Sequence, residues 1–166
     1  NGRSVRISDD HEKIKFLDTV RDYAKKNKQF FLKKDKHVER FFEQLNVPYC
    51  ESSDSSIDLK MNWDQVRDLI EDPLFTIGGH THSHPIMSYL TDFELEKEID
   101  TCLEKLEFIS NKPIIHFSYP EGLDFCYNKR VIRKLKERGI RCCPTAITGT
   151  NHLAEDLFEL KRITVL

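Results

Sequence analysis

The chain has 166 residues, 39% of them hydrophobic and 33% charged, with a formal net charge of -2. That is one domain's worth of sequence, enough for a single core and small for a complete barrel. The balance excludes an electrostatic case for nucleic acid or an anionic membrane surface, no apolar stretch approaches membrane-spanning length, and the N-terminus carries no signal-peptide pattern.

Taken in order, Ser8 followed by Asp9 and Asp10 reads as a helix start with acids in its first turn. Ile14, Leu17, Val20 and Ala24 continue an amphipathic period to about Lys26. A second helix is predicted from Asp35 to Leu45, with Val38, Phe41, Phe42 and Leu45 on one side. The lysines between the two are flanked by acids and read as a solvated face. Glu51-Ser52-Ser53-Asp54-Ser55-Ser56 is a polar linker. It divides a helical segment, residues 1–60, from a second part, residues 61–166.

From Leu59 the text takes on a βα rhythm. Asn62 caps a helix carrying Trp63, Val66, Leu69 and Ile70, and Pro73 ends it. Leu74 to Gly78 reads as a buried strand. Thr91 and Glu94 form a capping box that opens a long helix through Leu95, Ile99, Cys102 and Leu106, stopped before Pro113. Residues 114–117 read as a strand, Val131 to Leu135 as a helix with Gly139 as its stop, and residues 140–145 and 163–165 as further strands. Helices between strands predict an α/β fold with parallel pairing and functional loops at the strands' C-terminal ends. The five cysteines lack CxxC spacing, so they read as free thiols of a reducing compartment, the cytoplasm.

The densest chemistry is Gly78-Gly79-His80-Thr81-His82-Ser83-His84-Pro85, which holds three of the seven histidines. His80 and His84 are four apart, so a helical turn would put both rings on one face, where they could share a metal; His82 would point away. Spacing alone also suits a solvated histidine run. The run resembles the second motif of the polysaccharide deacetylases (carbohydrate esterase family 4, the nodulation-type chitooligosaccharide deacetylase homology domain). The resemblance implies that His80 and His84 bind a divalent metal, zinc first and cobalt second. Phe117-Ser118-Tyr119-Pro120-Glu121-Gly122 resembles the third motif. There the Glu121 backbone N–H would help hold an oxyanion, while Tyr119 and Pro120 would form a substrate-binding wall. Without the family, Tyr-Pro-x-Gly is a good turn. Ser118 stands where many members carry the Arg that orients the catalytic carboxylate.

The resemblance covers Met61 to Val165 and implies a partial or distorted (β/α) barrel. The family's Thr-Phe-Asp-Asp-Gly motif, which supplies a general base and a third metal ligand, is not found. The nearest text is Asp9-Asp10, with a hint of strand in Val5 and Ile7, and the same two residues cap a helix well. The Leu-x-His segment that supplies the general acid is also missing. The chain is therefore expected to be the back part of a longer deacetylase. The implied activity is metal-dependent hydrolysis of N-acetyl groups on an oligo- or polysaccharide or a sugar-lipid precursor, with this chain alone inactive. The alternative is a catalytically inactive module of the same fold that binds carbohydrate or a partner.

Overall fold

The computed structural model describes residues 8–28, 36, 37, 39, 40, 43, 59–163 and 165. The chain divides into two compact units, Asn1–Leu59 and Lys60–Leu166. The helix expected over Asp35–Leu45 lies for the most part outside the described residues. So do the linker at 51–56, Cys50, and the strand hint in Val5 and Ile7.

In the first unit, helix α1 spans Asp10–Lys26. Asp9 is its N-cap and accepts from the Glu12 N–H at 2.8 Å, while the Glu12 carboxylate accepts from the Ser8 N–H and Oγ. The Asp9 bond satisfies a donor that the first turn leaves without an intrahelical partner, and the Ser8 bonds tie the preceding residue to that turn. No residue of α1 is buried, and Ile14 and Leu17 are more than half exposed.

The second unit contains α2 (Trp63–Glu71), a 3-10 turn (Met87–Tyr89), α3 (Asp92–Ser110) and α4 (Lys129–Glu137). Reciprocal capping boxes open α2 at Asn62 with Gln65 and α3 at Thr91 with Glu94. Helix α3 ends where Asn111 turns left-handed at φ 50°. Its inward stripe, including Leu95, Ile99 and Leu103, packs in one core with Phe117, Val131 and Leu135. Each fully buried side chain of this kind contributes about 1.5–3 kcal/mol.

Charges set the register of α4 on α3. Arg130 meets Asp92 at 2.7 Å, Lys134 pairs with Glu96, and Arg138 grips Asp100 through two nitrogens, Nη2 to Oδ2 at 2.9 Å. Both partner series advance by four residues in the same direction, so the helices run parallel and one turn's slip would break all three pairs. The Arg138 guanidinium holds the Asp100 carboxyl below the usual carboxylate range, and the Arg130 hydrogen bond does the same for Asp92. Glu96 raises Lys134.

The expected (β/α) barrel is overturned. Among the described residues there is no β-strand, and parallel pairing is reduced to isolated bridges, Gly79 with Phe117, His116 with Cys142 and Thr148 with Arg162. The local reasons can be read from the bonds. Leu74 and Phe75 are not the start of a buried strand. The Asp72 side chain accepts the Leu74 N–H and its carbonyl accepts the Phe75 N–H, which closes a turn after Pro73 and leaves the two residues 87% and 52% exposed. Pro113 and Pro120 fence the next segment, since neither can donate to a ladder. The segment at 140–145 changes neighbour: Arg141 bonds to Ile115, whereas Cys143 and Thr145 bond to Leu157 and Leu160. Residue 164, within the last expected strand, is outside the described residues.

Candidate functional site

The bridge at Gly79 places the two marked loops side by side. The Gly79 N–H donates to the His116 carbonyl and the Gly79 carbonyl accepts from the Ser118 N–H, both at 2.9 Å. A methyl group at Gly79 would stand 2.5 Å from the Phe117 ring, so this close approach requires glycine. The His80–His84 loop and the Ser118–Gly122 turn therefore leave the bridge on the same side.

His80 and His84 are both exposed, with ring centroids 4.9 Å apart in an edge-to-face arrangement. Their convergence is not that of a helical turn. Thr81 (φ 63°) and His84 (φ 60°) are left-handed, at about 1–2 kcal/mol each for an L residue. The Thr81 hydroxyl donates to the His80 carbonyl at 2.6 Å and accepts the His84 N–H at 3.1 Å, folding the loop back on itself. The His82 backbone N–H donates to Glu98 Oε2 at 2.9 Å.

Nδ1 of His80 lies 2.9 Å from both the carbonyl and the Oγ of Ser118. A carbonyl oxygen only accepts, so in the neutral ring Nδ1 carries the proton and Nε2 is the open acceptor. The Ser118 carbonyl thus favours the Nδ1–H tautomer of His80. Beneath the loop, burial raises the Cys102 thiol.

The third-motif turn differs from its expected form. Tyr119 is 1% exposed, stacked on Tyr127 at 4.3 Å, and its hydroxyl donates to the Phe158 carbonyl at 3.0 Å. Burial pushes its phenol well above the ordinary value. Pro120 is fully buried. Both side chains anchor the turn in the core, so the surface it offers is made by Ser118 and Glu121. Glu121 is left-handed at φ 62°, and the Gly122 N–H closes back on the Pro120 carbonyl at 2.7 Å.

Asp9 and Asp10 belong to the first unit, where Asp9 caps α1 and Asp10 pairs with Lys13 at 2.8 Å. Among the described residues no group of three or more His, Cys, Asp or Glu side chains could hold a metal ion. The zinc-binding centre expected from the motif is therefore corrected: two imidazoles converge without the carboxylate that a metal site of this type requires. The carboxylate that reaches this loop, Glu98, is committed elsewhere. Its Oε2 accepts the His82 and Ser83 N–H groups at 2.9 and 2.8 Å, and its Oε1 accepts the Ser83 hydroxyl at 2.7 Å. Glu98 is the residue that sequence reasoning missed, and the contact of Ser118 with His80 was not read from the motif. Glu98 did leave a signal, an acid three residues after Leu95 and four before Cys102, on the inward stripe of α3.

A recess of about 270 Å³ opens between Phe75, Ile77, Lys112 and His116, at the upstream ends of the bridged segments and away from the histidine loop.

The sequence profile for polysaccharide deacetylases matches residues 12–143. The chain belongs to the polysaccharide deacetylase family. The match starts inside α1, upstream of the span that the motifs alone covered, and does not include Asp9 or Asp10. Among solved structures, this deacetylase-family chain is similar to the Streptococcus pyogenes deacetylase PplD in complex with acetate, at 20% identity and a TM-score of 0.60. The likeness covers 67% of this chain and 47% of that one. A polysaccharide deacetylase from Bacillus cereus gives 22% identity, a TM-score of 0.54, and coverage of 65% and 33%. The deacetylase domain of BpsB from Bordetella bronchiseptica gives 17%, 0.56, and coverage of 70% and 53%. At these identities the likeness concerns the course of the backbone alone, and the chain spans about half or less of each relative. Comparison with curated proteins gives no match.

Proposed function

We propose that this span of the polysaccharide deacetylase family is a carbohydrate-binding module that takes an N-acetylated saccharide on the surface between the His80–His84 loop and the Ser118–Gly122 turn, without hydrolysing it. The observation that carries the reading is the exposed imidazole pair, built by two left-handed residues yet accompanied by no third metal-ligating side chain among the described residues. His80 offers Nε2 as an acceptor for a sugar hydroxyl. The Glu121 backbone N–H is the proposed donor to the acetyl carbonyl, and Tyr119 and Pro120 hold that turn in place from below.

A second reading is favoured by the span of the relatives, less than half of whose length this chain covers in the first two cases. In it, ligands contributed from outside the described residues complete a deacetylase. A divalent metal, zinc or cobalt, would then sit against His80 and His84 and supply Lewis-acid activation of the amide. Acetate release from N-acetylated oligosaccharides, with zinc or cobalt added, separates the two readings. The module reading predicts saccharide binding by calorimetry and no acetate above background. Metal-dependent release that disappears in His80→Ala would replace it with the deacetylase reading.

A further inference from the structure

We propose that Glu98 is the positioning residue of the histidine loop: its carboxylate fills an anion-binding nest made by the loop's own backbone and thereby sets the ring geometry of His80 and His84. The proposal does not depend on what the surface binds. Successive N–H groups that converge on one point form a concavity suited to an anion. Here the His82 and Ser83 N–H groups converge on a single oxygen, Glu98 Oε2, and the Ser83 hydroxyl takes the other. The anion is thus supplied by α3, whose burial of Leu95, Ile99 and Cys102 on the same face fixes where it stands. Residues 82 and 83 lie between the two left-handed residues, Thr81 and His84. The clamp therefore acts at the middle of the segment whose ends present the two rings. Hydrogen bonds to an ionised acceptor are roughly twice as strong as neutral ones, which suits a loop whose backbone is strained at both ends.

The test uses the full chain and chemical rescue. Two quantities are measured by NMR in wild type, Glu98→Ala and Glu98→Gln: the nuclear Overhauser effect between the His80 and His84 rings, and amide exchange at His82 and Ser83. The Ser118 amide, bonded to Gly79, is the internal reference. In Glu98→Ala the ring contact is expected to be lost and exchange at His82 and Ser83 to quicken by about tenfold or more, with Ser118 unchanged. Sodium formate, a free carboxylate, is expected to restore both quantities, and sodium chloride at equal ionic strength neither. Glu98→Gln, whose amide oxygen can still accept the two N–H groups, is expected to keep the ring contact while exchange quickens to a lesser extent. An unchanged ring contact in Glu98→Ala overturns the proposal, as does a lost contact that neither formate nor Glu98→Gln restores. Should Glu98→Ala not fold, Glu98→Gln decides: unaltered exchange at His82 and Ser83 overturns the proposal.

Discussion

Gly79→Ala tests whether the bridge under the site is as tight as the structure makes it. The added Cβ would lie 2.5 and 2.7 Å from two atoms of the Phe117 ring, where ordinary contacts begin near 3.4 Å. Phe117 is 1% exposed, so the ring cannot swing into solvent and must displace its core neighbours. Overpacking of this kind destabilises by about 1–3 kcal/mol. Because Gly79 is not left-handed, alanine also restricts the unfolded chain, which offsets about 0.4–1 kcal/mol of that loss. The net expectation is a loss of about 0.5–2 kcal/mol, read from denaturant midpoints at constant m-value. Phe117→Leu, which removes ring atoms from that contact, leaves a partly filled cavity and costs about 1–2 kcal/mol by itself. In the double variant the two losses should fall short of additivity by about 1 kcal/mol, since each relieves the other. Strict additivity, or a Gly79→Ala protein as stable as wild type, would refute the reasoning.

Replacing Gly122 by Ala should be more damaging. The Cβ would lie 2.6 Å from the Ala146 backbone nitrogen in a left-handed residue (φ 67°), so a loss of about 2 kcal/mol or more is expected in the same denaturation experiment. The Asp100–Arg138 pair gives an acid limb. Asp100 is depressed in the folded state, so its contribution is complete above its unfolded value near 4 and is lost as pH falls through the lower folded value. Asp100 is 44% exposed, and the contribution is discounted to about 1 kcal/mol. Asp100→Asn should lower stability at pH 7 and flatten the loss between pH 4 and 2, as measured by denaturation across pH. Among the described cysteines, Cys142 should be alkylated first, because Cys143 is buried and pushed up to about 12, and Cys102 and Cys126 are buried too. Peptide mass spectrometry of partially labelled protein reads that order. Zinc titrated by calorimetry should bind more weakly than micromolar, and His80→Ala should abolish what binding there is.

What could be read from the text was local. The Thr91–Glu94 and Asn62 caps depend on side chains three residues apart, and a run of sequence contains all that they need. That His80 and His84 come together was legible from spacing, but the backbone that brings them together was not: a left-handed Thr81, braced through its own hydroxyl, does it without the helical turn that the i,i+4 argument invoked. Leu74 and Phe75 are apolar enough for a strand, yet Asp72 two residues earlier can close a turn with equal chemistry, and the turn prevails. The orientation of Tyr119 is set by Phe158, 39 residues onward, and by Tyr127. A motif read in isolation cannot tell a ring that lines a pocket from one that anchors its wall. Glu98 was missed because a helical acid usually meets solvent, and only the fold shows it reaching across to residues 15 and 16 positions earlier.

The central claim is that an N-acetylated saccharide is held between the two loops and left intact. It is tested most directly by titrating a chitooligosaccharide into isotopically labelled protein, following every assigned amide together with the acetate methyl signal. The account predicts saturable shifts concentrated at Thr81–His84 and Ser118–Gly122, weakened by His80→Ala, with no acetate appearing. Shifts confined to the recess at Phe75, Ile77 and His116, or growth of an acetate signal during the titration, would contradict it.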